Sequence, residues 1–588
     1  MCDWENIFAG LYKGVSLEEE ISKGIISVKE YLLIIVVMNF VHCLGFSQTG
    51  NWLWARQGVG NNDQYGRSCA TDPFGNIYAA GDYFDSTITF GSTTLPNAGG
   101  IHVFLVKYSP NGNVLWAKCG KEGDSFGYSV TSDASGNAYV TGNFSSNTLI
   151  FDNDTLTNPN GNGGGMFIVK YSPTGVILWA KIAGRSADTG FSIVTDTAGN
   201  VFVTGYFHSP SIIFGTDTLY TLTNSFSPFI VKYSSSGTVL WAKGIAGYGL
   251  NQGVSLATDL YGNVFVLGYF NTALFIGMDT LTNTFSVAIY NLFMVKYSST
   301  GAALWVKNIG ATSSEYEGSV ATDILGNAYV TGNFQGRTIV LGSDTLFNAD
   351  TSGVTSDMFI VKYSTNGAVI LAKRAGGING DYGCTIATNT NASTSDIYVT
   401  GSFNSSTIIF DLDTLVSPSF MNWPSFIVKY DENLNIKCAS SLANHTSCFI
   451  AKDNSDNAYI VGGFPTNPFV VGSDTLLATS MHANGPTFFI AKYNCNGEPV
   501  GITKQSDIET ISICPNPFTS QTTIIFSEEQ KHTIVSITDV LGKEVYHTLM
   551  SGGAKSLTIE KGTMQPGIYF VKATDQHNKV SNLKVMVQ

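Results

Sequence analysis

Residues 195–207 read TDTAGNVFVTGYF, and residues 229–233 read FIVKY. Asp196 to Asn200 has the chemistry of a tight turn. The Asp side chain can bond the backbone, and Gly199 can take a positive φ. The stretches on either side alternate bulky and β-branched residues, the pattern of strands. The same pair recurs along the chain. TDPFGNIYAAGDYF begins at Thr71, SDASGNAYVTGNF at Ser132, TDLYGNVFVLGYF at Thr258 and TDILGNAYVTGNF at Thr322, with looser copies at Asp396–Gly401 and Asp453–Phe464. The FIVKY-like strand ends at Tyr108, Tyr171, Tyr233, Tyr297, Tyr363, Tyr430 and Tyr493, with spacings of 63, 62, 64, 66, 67 and 63 residues. A third signature carries Trp54, Trp116, Trp179, Trp241 and Trp305, with Leu371 and Cys438 in the same place in later copies.

Each unit holds four principal strands and an extra hairpin, as at Ile213–Leu219. Four antiparallel strands repeated seven times predict an all-β fold, a seven-bladed β-propeller spanning residues 48–503. The ring must close. Residues 52–56 (WLWAR) precede the first full unit and carry the Trp that the eighth copy, EPVGIT at 498–503, lacks. WLWAR is therefore expected to complete the last blade beside residues 488–493, with 498–503 as the alternative. The pattern Asp-x-x-Gly-Asn-x-Tyr-Val-Thr-Gly, then Phe-Ile-Val-Lys-Tyr-Ser-x-x-Gly, resembles the bacterial SBBP-type propeller repeat over about residues 52–500. That resemblance implies a fold and is nearly silent about activity.

Composition agrees with an exported all-β protein. Only 13% of the 588 residues are charged, against about 25% in an average soluble chain. The net charge of −13 argues against nucleic acid as a partner. Residues 32–41 (LLIIVVMNFV), preceded by Lys23 and Lys29, form a short apolar run, and small residues follow near Ser47. This is the pattern of a signal peptide, residues 1–47, cleaved near Ser47-Gln48. The run falls short of the ~20 residues a spanning helix needs, so no permanent transmembrane anchor is expected. Cys43 follows Val41 and His42, which is not a lipobox. Nine cysteines occur, seven of them beyond the leader. An odd number cannot all pair internally. Scattered buried thiols are expected, and Cys438 and Cys448 are the pair to test first.

Residues 504–588 differ in character. They contain Pro515-Asn516-Pro517-Phe518, then Asp539-Val540-Leu541-Gly542-Lys543, then Pro566-Gly567-Ile568-Tyr569. About seven short strands predict a small β-sandwich. These motifs resemble, in order, the type A C-terminal sorting domain of the type IX secretion system. Cys514 stands where that family more often has an aromatic. The resemblance marks Pro515, Asn516, Pro517, Asp539, Gly542, Gly567 and Tyr569 as the sorting motif. It implies a Bacteroidota-type bacterium, the type IX machinery as partner, and delivery to the cell surface or medium with removal of this domain.

Candidate chemistry is sparse. No HExxH or CxxC occurs, and no metal or cofactor is expected. Asp-x-x-Gly-Asn offers one Asp per turn, too few for calcium, and reads as a structural hairpin. Gly-x-Ser at Ser68, Ser129, Ser192 and Ser255 lacks the following Gly of a nucleophile elbow. Lys107, Lys170, Lys232, Lys296, Lys362, Lys429 and Lys492 could form a positive ring; the simpler reading is one outward or edge residue per strand. Asp-Thr-Leu recurs with Thr155, Thr218, Thr280, Thr345, Thr414 and Thr475. It resembles the O-glycan acceptor motif of Bacteroidota, and equally fits a turn whose Asp bonds the backbone while Leu packs inward. Glu315 and Glu317 come nearest to a catalytic acidic pair and fit an exposed loop equally well. The function expected is a secreted or surface binding platform for an extracellular carbohydrate or protein. An extracellular polysaccharide- or peptide-acting enzyme and a structural surface component are the competing classes. Convergent carboxylates at a channel mouth would favour the enzyme, and exposed aromatics the binder.

Overall fold

The computed structural model describes residues 51–495 and 512–587, apart from short internal stretches. The leader and residues 498–503 lie outside the described residues. The chain divides into two compact units, residues 1–497 and 498–588.

In the first unit the described residues form seven main antiparallel sheets, each with an inner, second, third and outer strand in that order. Five have these four strands alone, and two run on through their outer strand into a hairpin (Thr148–Phe151 with Asp154–Thr157, and Thr407–Phe410 with Asp413–Val416) and so have six. The inner strands are Gln64–Thr71, Ser125–Ser132, Thr189–Thr195, Gln252–Thr258, Glu315–Thr322, Asp381–Ala387 and Thr446–Lys452. We number the sheets 1 to 7 in that order. The second and third strands are buried along nearly their whole length, and Ile77–Tyr83 and His102–Tyr108 at every residue. Both faces of each sheet are thus covered by its neighbours, the packing of a β-propeller. A run of hydroxyl bonds links consecutive inner strands. Ser132 donates to the Thr71 carbonyl at 2.7 Å, Thr195 to Ser132 at 2.7 Å and Thr258 to Thr195 at 2.9 Å. Thr322 donates to Thr258 at 2.8 Å and Thr388 to Thr322 at 2.6 Å, while Thr71 reaches back to Lys452 at 2.8 Å. Sheet 7 therefore lies beside sheet 1.

Closure follows the expected route. Asn51–Gln57 is the outer strand of sheet 7, with Trp52 opposite Tyr493 and Gln57 opposite Phe489. The signature glycines have steric reasons. Gly136 takes φ 76° in its turn, and a Cβ on Gly142 would stand 1.8 Å from the Phe126 carbonyl oxygen.

The repeated lysines are neither a ring of positive charge nor outward residues. Lys107, Lys170, Lys232, Lys296 and Lys429 are buried. They pair with the turn aspartates of their own sheets, Asp72, Asp133, Asp196, Asp259 and Asp396, at 3.0–3.5 Å. Each lies over an aromatic ring of the second strand, as Lys232 over Phe202 at 4.7 Å. A sheet with both faces covered has no outward side, so alternation could not place them outside. Four of these ammonium groups also donate to a backbone carbonyl across the seam. Lys107 donates to Pro173 O, and so does the Trp116 indole, at 3.2 and 3.0 Å. Lys170 and Trp179 share Ser235 O, Lys232 and Trp241 share Ser299 O, and Lys296 and Trp305 share Thr365 O. Lys492 and Trp54 share Pro110 O, so the closing seam carries the same clamp.

The turn aspartates are filled by their own loops. Asp196 Oδ1 accepts from the Ala198 and Asn200 N–H groups, and Oδ2 from the Asn200 amide and Lys232. This is the hairpin reading, with the oxygens a calcium ion would need already engaged.

Among the described residues there is one disulfide, and it joins Cys438 to Cys495, not to Cys448, with Cα atoms 6.2 Å apart. Cys438 holds the Trp place of sheet 6. Cys495 holds the place of Pro110, Pro173 and Ser235, whose carbonyls accept from Trp at other seams. Sequence proximity did not identify the partner because the bond crosses a seam between repeats. Cys69, Cys119 and Cys384 take no part in a disulfide.

The described residues of the second unit form two sheets, one of three strands and one of four, around a core that includes Phe518, Ile524, Val535, Val571 and Val585.

Candidate functional site

Each of the seven inner strands carries an irregularity in its register. In four of them it falls between a Gly and a Ser, as at Gly66/Ser68, Gly127/Ser129, Gly190/Ser192 and Gly253/Ser255. A bulge inserts one residue and re-aims its side chain. The inserted residues Arg67, Tyr128, Phe191 and Val254 line a central cavity of about 1100 Å³, as does Cys384 in sheet 6. The serines beside them line the same cavity. Ser68, Ser129, Ser192 and Ser255 each accept from a backbone N–H of the next sheet, at 3.1–3.3 Å. They lie on successive strands, so they form no nucleophilic centre.

Around sheets 1 to 3 the aromatics form a continuous arc. Tyr65 meets Phe84 at 5.9 Å between centroids, and Arg67 lies over Tyr65, Phe126 and Tyr128 at 5.3, 6.0 and 5.4 Å. Tyr128 meets Phe191 at 5.1 Å, Phe191 meets Tyr206 at 5.5 Å, and Tyr206 meets Phe226 at 5.0 Å. Tyr269 and Tyr290 form a further pair at 5.2 Å and line the same cavity. Phe84 is exposed and the other rings are half-buried.

Arg67 is the one charged side chain among the described lining residues. It is bonded to the wholly buried Asp82 through two nitrogens, one of them at 3.2 Å. Burial holds the Asp82 carboxyl above the usual range, with the Arg67 bond opposing it. No group of three His, Cys, Asp or Glu able to hold a metal occurs among the described residues. Glu315 and Glu317 belong to strand Glu315–Thr322, not to a loop; their side chains lie outside the description. The aromatic arc is the feature that sequence reading missed. Its signal was the variable residue between Gly and Ser.

The six Asp-Thr-Leu segments each open the second strand of an outer hairpin, and all six threonines are exposed. Asp217, Asp344 and Asp474 accept from the Ala242, Ala372 and Ala55 N–H groups of an outer strand, at 2.9, 3.2 and 2.7 Å. Leu156 and Leu415 are buried. The Asp-to-backbone bond of the turn reading is thus met at Asp217, Asp344 and Asp474, and the inward Leu at Leu156 and Leu415, with the Thr exposed at every site.

In the second unit Asp539 lies opposite Tyr569 across neighbouring strands. Asp539 Oδ1 accepts from Lys543 N at 2.9 Å, and the Tyr569 hydroxyl donates to Gln565 O at 2.9 Å. Gly567 begins the same strand as Tyr569, and Asn516 is exposed. Pro515, Pro517 and Gly542 lie outside the described residues.

Residues 512–588 match the family model described as the secretion system C-terminal sorting domain. This tail directs export by type IX secretion to the cell surface or extracellular space. A WD repeat-containing protein of Acanthamoeba polyphaga mimivirus, itself uncharacterised, is 27% identical over 542 residues, covering 76% of this chain and 39% of the relative. The chain thus spans about two fifths of that relative's length. Among solved structures, the Dos1 propeller shares 8% identity at a TM-score of 0.37, covering 76% of this chain and 94% of that one. PorZ, a surface component of the type IX system of Porphyromonas gingivalis, shares 9% identity at a TM-score of 0.19, covering 91% of this chain and 100% of that one. At such scores the likenesses add nothing to the strand topology above.

Proposed function

We propose that this chain is a seven-bladed, SBBP-type propeller (residues 48–503) that serves as a binding platform outside the cell. Its leader (1–47) is removed near Gln48, and its sorting domain (504–588) is read by the type IX machinery of a Bacteroidota-type bacterium. Asp539, Gly542, Gly567 and Tyr569, with Pro515, Asn516 and Pro517, form the sorting motif. The ligand site is the aromatic mouth of the central channel. The observation that carries this is the arc from Phe84 to Phe226 beside a cavity whose described lining includes no carboxylate. Half-exposed rings with polar groups among them are the anatomy of a binding pocket. The enzyme reading would require convergent acids there. The six exposed threonines of the outer hairpins are O-glycan acceptors in this reading, away from the mouth.

The test is the intact mass and location of the protein made by its native host. A species in the medium or on the surface, starting near Gln48 and ending before residue 504, is expected, with excess mass released by β-elimination. A full-length product retained inside the cell would overturn the export scheme. An unmodified mass would remove the glycan assignment alone.

A further inference from the structure

The ligand class follows from the chemistry of the channel mouth, granted that the mouth is the binding site. Two kinds of group face the cavity there. The first is aromatic. Tyr128 and Phe191, on bulges of adjacent inner strands, stand 5.1 Å apart with planes at 70°, and both line the cavity. The second is hydroxylic. Ser129 and Ser192 use their oxygens to accept backbone N–H groups from Ile193 and Leu256. That leaves each O–H hydrogen free to donate to a ligand. Formal charge is nearly absent, because Arg67 is neutralised by Asp82.

A ligand suited to this wall has an apolar face to lay on a ring, oxygens to accept from serines, and no net charge. An anion would find a guanidinium already committed. A cation would find the ring faces beside Arg67 already taken by that guanidinium. Sugars in ring form combine a C–H face with a rim of hydroxyl oxygens. We propose that the channel mouth binds a neutral oligosaccharide, one ring stacked on the Tyr128–Phe191 corner and its hydroxyls bonded to Ser129 and Ser192. The cavity, about 1100 Å³, is slightly larger than the usual small-ligand site and admits more than one sugar ring.

The full secreted protein is titrated calorimetrically with cellohexaose, xylohexaose, laminarihexaose, mannohexaose and maltohexaose, with hexagalacturonate as the anionic arm and a proline-rich decapeptide as the peptide arm. At least one neutral hexasaccharide binds, Tyr128→Ala weakens it about tenfold, and Ser129→Ala weakens it by a smaller factor. Tyr220→Ala, on the outer rim, leaves it unchanged. Tyr128→Leu replaces the alanine variant if that one melts early. Failure of all five neutral sugars overturns the proposal. Binding of hexagalacturonate or the peptide, lost in the Tyr128 variant, overturns the sugar class while keeping the mouth as a site. Sugar binding untouched by Tyr128 and Ser129 substitutions overturns the site itself.

Discussion

Cys438 and Cys495 occupy, at the seam between sheets 6 and 7, the positions that a tryptophan and its carbonyl acceptor occupy at other seams. A covalent bond replaces an indole hydrogen bond between the same two points. Lys429 has changed partner to match. It pairs with Asp396 at 3.0 Å and with Asp456, which stands in the Gly place of its turn at φ 64°. Lys452 reaches Asp456 at 2.8 Å.

Reduction is therefore expected to weaken one seam. Breaking a native disulfide costs about 2–4 kcal/mol in typical cases. Dithiothreitol should lower the melting temperature of the wild type and leave Cys438→Ser/Cys495→Ser, already lower, unchanged. An equal response of both proteins would mean that this bond does not hold the seam.

The clamps elsewhere respond to charge. Lys232 is 4% exposed, and removing it strands Asp196 in the interior. Lys232→Met should cost about 3–5 kcal/mol in chemical denaturation, and the double variant Lys232→Met/Asp196→Asn should cost less. If the double variant is worse by the full sum, the two residues are not coupled.

Trp179 contributes a smaller share. Its indole N–H reaches Ser235 O at 3.0 Å across the seam between sheets 2 and 3. Trp179→Phe removes that donor and part of the packing, and should destabilise by about 1–2 kcal/mol. A null effect would show Lys170, bonded to the same carbonyl, to be sufficient.

Asp357 should set a pH dependence. Burial pushes its carboxyl up to about 7, and the charge of Asp381 adds to this, while the Ala349 N–H and Arg374 oppose it. Burial likewise pushes Asp381 up to about 6. The folded state thus holds protons that the unfolded state, with a carboxyl near 3.8, has released. This contribution is full below pH 4 and is lost as pH rises through 7. The melting temperature of wild type minus that of Asp357→Asn should therefore fall between pH 5 and pH 8. A rise would reverse the assignment.

The repeat, the strand count per unit, the closing strand and the sorting tail were legible because each is a local pattern or a fixed offset. The lysine clamps were not. Asp196 and Lys232 meet across two strands, and the carbonyl of Ser235 belongs with the next sheet's seam. Periodicity distinguishes the two faces of a strand, but it cannot say that both are covered. The aromatic mouth was hidden for another reason. Arg67, Tyr128 and Phe191 sit on bulges, which break the two-residue period that strand reading relies on. Cys495 was within reach, since it holds the same offset after Tyr493 as Pro110 does after Tyr108.

The closing strand gives folding a direction. Six of the seams join neighbours in sequence and can zip as the chain lengthens. The seventh must wait for Asn51–Gln57 to find Thr487–Asn494, an encounter across the whole array. Until then sheet 7 has a bare edge, and sheet 1 lacks the Trp54 and Lys492 donors that grip Pro110. A chain interrupted before Thr487 cannot finish the ring however well its earlier sheets form. Completion is thus a single late event, with the covalent staple one seam away to keep the last sheet in place while the ends meet.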